Sequence, residues 1–174
     1  MQRCPEPELM NASDQVLAYA EADFSAGDQS VLAGLLALID HSCVTLPRDS
    51  LILDLGCGPG NISERLASCW PLSDVIGIDG ASSMISVANQ RLFTRKPAIQ
   101  NLKYQHIDLS HCCLEDLEQI RGASVIVSNS LLHHLHNPHT LWDAVQQLAA
   151  PNAFILHRDL RRPSTEQEVD ALCD

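Results

Sequence analysis

The sequence predicts a three-layer α/β domain, in which helices cover both faces of a central, mainly parallel sheet. Three observations carry this. Apolar strand-like runs alternate with helical stretches along most of the 174 residues, the pattern of a parallel sheet with both faces covered. The first run, Leu51-Ile52-Leu53-Asp54-Leu55, enters a turn with glycine at every second position, Gly56-Cys57-Gly58-Pro59-Gly60. The second, Val75-Ile76-Gly77-Ile78-Asp79, ends in an acid 19 residues after Gly60.

Residues 1–12 read as a flexible tail and residues 13–174 as one domain, since the length suits a single compact unit. Asp14 to Ala22 has helical periodicity. Asp28 reads as the N-cap of a second helix with Val31, Leu32, Leu35, Leu36 and Ile39 on one face. Pro47 to Ser50 forms the turn into the first strand. Strands are expected at 51–55, 75–79, 103–107, 124–128 and 153–159, and helices at 61–69, 82–93, 114–120 and 139–149. A last helix starts after Pro163-Ser164, with Glu166, Gln167 and Glu168 in its first turns, where negative charge suits the helix dipole.

Composition narrows the function classes. Hydrophobic residues make up 45% of the chain, so a packed core is expected. The net charge of −11 disfavours a nucleic-acid partner. The local basic cluster is Arg158, Arg161 and Arg162, with Asp159 among them. The N-terminus, with Pro5, Glu6, Pro7 and Glu8, carries no apolar run of signal-peptide type. The longest apolar stretch, Val31 to Ile39, has nine residues and contains Gly34, against the roughly 20 residues a bilayer span needs. No membrane partner is expected. Seven cysteines without a secretion signal read as free thiols and point to a cytoplasmic protein.

The glycine turn is the most informative segment. Glycine tolerates positive φ and lets a ligand approach the backbone, and such a turn at the end of a parallel strand is where open α/β sheets bind nucleotides. The dinucleotide fingerprint needs glycine at relative positions 1, 3 and 6. Gly56 and Gly58 fill the first two, but the sixth is Asn61. Asp79 stands close to the roughly 20-residue spacing of a carboxylate that holds ribose hydroxyls. Taken alone, it more commonly reads as an N-cap for the helix beginning near Ser82.

The D-x-G-x-G-x-G run from Asp54 to Gly60 resembles motif I of the class I S-adenosylmethionine-dependent methyltransferases, and Gly77 to Ile85 resembles the second conserved block of that family. Tyr104 to Leu109 matches the third block. Ile126 to Leu135, with Leu132-His133-His134-Leu135, resembles the fourth block of its small-molecule members. The resemblance covers about residues 14–165 and implies a Rossmann-like sandwich with strand order 3-2-1-4-5. It implies S-adenosylmethionine as cofactor, held by Asp54, Gly56, Cys57, Gly58, Gly60, Asp79, Gly80, Met84, Asp108, Leu109 and Asn129. By the same resemblance Asp79 takes the ribose, Asp108 the adenine amine, and Asn129 the methionyl part through its carbonyl. Asp108 also reads as a plain turn-starting residue. His133 or His134 would lie near the transferred methyl group as catalytic residue. Tyr19 and Phe24 read as a lid over the cofactor or as ordinary helix-packing aromatics.

Two departures from the family stand out. Its Leu-x-Pro-Gly-Gly turn before strand five is Leu148-Ala149-Ala150-Pro151-Asn152-Ala153 here. Asn152 tolerates left-handed backbone, while Ala153 does not replace a strained glycine freely. The family's strands six and seven are absent before Asp174, so the domain reads as C-terminally truncated, with strand five an exposed edge for a homodimer or another partner.

His133, His134, His136 and His139 fall within seven residues and invite a metal reading. The first two are adjacent and no nearby carboxylate completes a triad, so no metal is expected. The function expected is methyl transfer from S-adenosylmethionine to a small-molecule acceptor by in-line displacement. The alternative is a non-catalytic cofactor-binding protein that regulates a partner.

Overall fold

The computed structural model describes residues 8–160. The helix expected after Pro163-Ser164, together with Arg161 and Arg162, lies outside the described residues. Two helices, α1 (Ser13–Glu21) and α2 (Ser25–Ser42), precede an alternating run: β1 (Leu51–Leu55), α3 (Asn61–Cys69), β2 (Asp74–Asp79), α4 (Ser82–Thr94), β3 (Leu102–His106), α5 (Leu114–Glu118), β4 (Ala123–Asn129), α6 (His139–Leu148) and β5 (Ala149–Arg158). The sheet order is β3-β2-β1-β4-β5, as the resemblance implies, and every neighbouring pair is parallel.

Period-two alternation divides the sheet between two cores. Ile52, Val75, Val125 and Val127 face one side, under Val31 and Leu35 of α2, Leu66 of α3 and Ala88 of α4. Leu53, Leu55, Ile78 and Ile126 face the other, under Leu117 of α5 and Leu141, Ala144 and Leu148 of α6. Ile52, Leu53 and Leu55 are all fully buried, so β1 is apolar on both faces save for Asp54, as suits a strand covered on both faces. Parallel pairing also gathers the C-terminal ends of all five strands on one side. The loops that leave them, around Gly56–Gly60, Gly80, Asp108, Ser130–His134 and Asp159, therefore share that side.

Asp28 is not the N-cap of α2. The helix begins three residues earlier, at Ser25, after Phe24. Asp23 does the capping work: its Oδ1 accepts the Ser25 N–H at 2.9 Å. Asp28 lies in the first turn, 6% exposed, where its charge suits the helix dipole. Strand β5 begins at Ala149 rather than 153 because Ala149 pairs with Ala123. The register then shifts before Val125 meets Phe154. The shift places Pro151 and Asn152 in an irregular stretch, and the positive φ of 64° falls on Asn152. Ala153 therefore needs no glycine conformation. Of the N-terminal segment, Glu8 accepts the His136 N–H at 2.6 Å, Asn11 accepts the Ser83 hydroxyl at 3.2 Å, and Met10 packs on Val16, Ala81 and Met84.

One side chain closes the return from α3 to β2. Asn101 Nδ2 approaches the carbonyls of Ala67, Trp70 and Ser73 at 3.2, 3.0 and 2.8 Å. Asn101→Ala removes the donor for all three, and urea unfolding is expected to show a loss of about 1–3 kcal/mol with an unchanged m-value. An unchanged midpoint would show that solvent replaces the amide.

Candidate active site

The loop after β1 is shaped by its glycines. Gly56, Gly58 and Gly60 have φ of 72°, 53° and 89°, the left-handed region that side chains resist. The three have different neighbours. A Cβ at Gly56 would come within 2.9 Å of Leu131, and one at Gly60 within 2.0 Å of the Tyr104 hydroxyl. Gly60 is thus explained by packing: its carbonyl accepts the Tyr104 O–H at 3.2 Å. At Gly58 the nearest atom to an added Cβ is Tyr19 Cε1, at 3.8 Å, so this is the glycine that leaves its backbone open.

Asp79, the last residue of β2, clasps this loop. Its Oδ2 accepts the Gly58 N–H and its Oδ1 the Ala81 N–H, both at 2.8 Å. The helix cap is Ala81, not Asp79. Burial pushes the Asp79 carboxyl up, and the Ala81 and Gly58 N–H groups, then His134 and His106, offset part of that. Behind it Asp54, 1% exposed, accepts the Ser63 hydroxyl at 2.6 Å.

These residues open on a cavity of about 480 Å³. Asp54, Gly56, Cys57, Gly58, Asp79, Met84, Asn129, His133 and His134 line it, with Tyr19, Phe24, Arg158 and Asp159. The Tyr19 and Phe24 rings pack on one another, centroids 4.8 Å apart, and both form its wall. A smaller crevice continues from it along Gly56, Asp79, Gly80, Asp108, Leu109 and Leu131. Asp108 accepts the Ser110 N–H at 2.9 Å and meets the His111 ring at 3.0 Å, so it does serve the turn. Gly60 lines neither space.

The two histidines part company. The His133 and His134 rings pack with centroids 4.2 Å apart and planes tilted by 38°. His133 Nδ1 lies 2.6 Å from Asp159 Oδ1, whereas His134 acts electrostatically on Asp79. Burial alone would raise the Asp159 carboxyl. Hydrogen bonds from His133 and from the Leu160 and Leu132 N–H groups, with the His133 charge, outweigh it and hold that carboxyl below its usual range. Nothing in the sequence pattern singled out Asp159, which stood inside a basic cluster. Its position at the C-terminal end of a parallel strand was the one available signal.

The buried acid gives a pH-dependent signature. Burial, opposed by the Ser63 hydroxyl and reinforced by Asp79, pushes Asp54 up to about 7. Unfolded, it would lose its proton near about 3.9. The folded chain binds the extra proton between these values, so this group's contribution to stability falls as pH rises through that window. Asp54→Asn is expected to flatten the stability curve between about pH 4.5 and 7.5 in denaturant titrations. A wild-type-minus-variant difference that stays constant across the window would overturn the assignment.

Comparison with known proteins agrees with this geometry. Residues 52–152 match the family described as a methyltransferase domain. The chain is 45% identical over 49 residues to trans-aconitate 2-methyltransferase of Variovorax paradoxus, covering 28% of this chain and 19% of that protein. It is 37% identical over 89 residues to malonyl-[acyl-carrier protein] O-methyltransferase of Bacillus cereus, covering 49% and 28%. The matches thus span under a third of either relative's length. Among solved structures, the plantazolicin methyltransferase BpumL, in complex with a pentazolic desmethylPZN analog and SAH, superposes with a TM-score of 0.69. That match covers 91% of this chain and 58% of that one at 20% identity, a likeness of fold. With the glycine loop, the clasping acid and the sheet order in place, the chain belongs to the class I S-adenosylmethionine-dependent methyltransferase family.

Proposed function

We propose that this chain binds S-adenosylmethionine at the C-terminal ends of β1, β2 and β4 and directs its methyl group to a small-molecule acceptor. One observation carries the reading: the open glycine, its clasping acid and the histidine pair border a single cavity. Its volume lies in the range of small-molecule sites. Glu8, Asp28, Asp79 and Asp159 stand on its wall against Arg158, a balance that suits a cationic sulfonium. Asp79 and the Gly58 backbone would hold the ribose, with Gly56, Cys57 and Asn129 beside the amino-acid end and Met84 against the apolar part. The crevice at Gly80, Asp108 and Leu109 would take the adenine. The cofactor supplies a methyl group already activated by positive sulfur. The chain must orient an acceptor in line and keep water out. The malonyl-[acyl-carrier protein] relative is an O-methyltransferase by name, which supports oxygen as the attacking atom.

Calorimetry is expected to show micromolar binding of S-adenosylmethionine and of its demethylated product. Asp79→Ala removes two charge-assisted hydrogen bonds inside the chain and the acceptor for the ribose. Affinity should fall by about tenfold to a hundredfold, from roughly 1.5–3 kcal/mol. No heat at millimolar ligand, or full affinity in the variant, would refute the reading. Binding with no turnover on any acceptor would favour the regulatory alternative.

A further inference from the structure

We infer that the cleft between the α1–α2 turn, α3 and the end of α4 is a second ligand site, which takes the phosphate group of a small molecule. This goes beyond the methyl-transfer reading and does not rest on it.

The cleft encloses about 710 Å³, room for a small molecule rather than a lone ion. Three arginines line it: Arg65 from α3, Arg91 from the last turn of α4, and Arg95, which caps that helix. A chain of net charge −11 thus gathers three of its 11 lysines and arginines in one place. The acids there lie deeper. The Asp28 and Glu64 side chains are 8% and 7% exposed, against 33% for Arg65 and 39% for Arg95. Asp23, which is exposed, accepts the Ser25 N–H. A ligand entering the cleft therefore meets guanidinium before buried carboxylate. Arg95 pairs with Glu64. The other two arginines are held by neutral amides: Arg91 Nη1 donates to Asn61 Oδ1 at 2.6 Å, and Arg65 Nη1 to Gln29 Oε1 at 3.2 Å. Asp28 Oδ2 stands 4.0 Å from Arg65 Nε, beyond hydrogen-bond reach. Ion pairing that served only to tie α2, α3 and α4 together would set each guanidinium against an acid. Amide partners orient the group and leave its charge in place.

The number of arginines selects the anion. A guanidinium fork matches carboxylate and phosphate oxygens alike, and one fork satisfies a carboxylate. A phosphate ester offers three oxygens and a charge of about −2 at neutral pH, so it can engage several arginines at once. Arg91 and Arg95, four residues apart, stand on one side of α4, where like charges repel; an anion relieves that repulsion. Phe24 and Leu32 supply apolar wall for the body of the ligand. Among the described residues, Phe24, Asp28 and Asn61 line both this cleft and the cavity at the glycine loop. A ligand seated in the cleft thus touches residues that also wall the methyl-donor site.

Titration of the full chain with sodium pyrophosphate, at constant ionic strength and without cofactor, tests the site directly. The result reads the same whether or not S-adenosylmethionine binds. Calorimetry is expected to show saturable binding to a single site. In NMR spectra of the wild-type chain the Nε–H signals of Arg65, Arg91 and Arg95 should move together, and acetate at the same ionic strength should leave them in place. Arg91→Gln and Arg65→Gln each keep an amide-bonding side chain but remove the charge. Each should weaken pyrophosphate binding by about tenfold to a hundredfold. Lys103→Gln, the same change of charge on exposed β3, should weaken it by less than about threefold. Heat that never saturates overturns the proposal, as does an equal loss in Lys103→Gln, which would mean diffuse attraction to charge. Signals that move at Arg158 and the glycine loop instead would place the anion in the other cavity and overturn it too. Acetate moving the three arginine signals as strongly as pyrophosphate overturns the phosphate assignment.

Discussion

The carboxylate of Asp79, shared between the N–H groups of Gly58 and Ala81, is the contact on which the site depends. It joins the loop leaving β1 to the loop leaving β2. Those loops would otherwise be two flexible turns side by side. The Ile78 carbonyl reinforces the junction by accepting both the Gly56 and Cys57 N–H groups, at 2.9 and 3.0 Å. Each of these backbone groups would be an orphan in a half-buried loop without such a partner, at a cost of about 1–3 kcal/mol. The clasp thus turns glycines with left-handed backbone from a source of disorder into a fixed wall.

Burying acid is expensive, and the fold deals with each acid differently. Asp54 keeps one hydroxyl partner and is driven toward its neutral form. Asp159 keeps two N–H partners and an imidazole and stays ionised. The difference follows from burial and partners together: Asp54 is fully buried with Ser63 as its partner, whereas Asp159 is only partly buried and has three donors. Of these two carboxylates on one cavity wall, Asp54 therefore holds its proton to a much higher pH than Asp159 does.

The end of β5 links the two halves of the cavity. Arg158 reaches across to the Gly27 carbonyl in α2 at 3.0 Å, and Asp159, the next residue, turns toward the β4 loop. The Ser130 N–H in turn donates to the Arg158 carbonyl at 2.9 Å, with Ser130 in the left-handed region at φ 56°. Strain at a non-glycine residue beside the histidine pair is held in place by this pairing with β5, as expected where a loop must aim side chains. The irregular start of β5 at Pro151 and Asn152 lies at the opposite end of the strand and leaves this end regular.

The sequence by itself determined the layers and the glycine loop, and its resemblance to a known family implied the strand order. Mainly apolar runs such as Leu51–Leu55 and Ala123–Asn129 suit strands covered on both faces, and Gly56 and Gly58 carry a local backbone requirement that survives in the chain order. Local pattern went astray where two signals competed. Asp28 looked like a cap because capping residues and first-turn acids share a composition. Strand β5 looked shorter because Pro151 reads as a turn. Tertiary structure alone decided that Gly60 answers to Tyr104 and that His133 and His134 face different carboxylates. It alone brought Asp159 to the site. That contact joins residues 26 positions apart through the parallel register of β4 and β5, and no periodicity within either segment encodes a bond made between them.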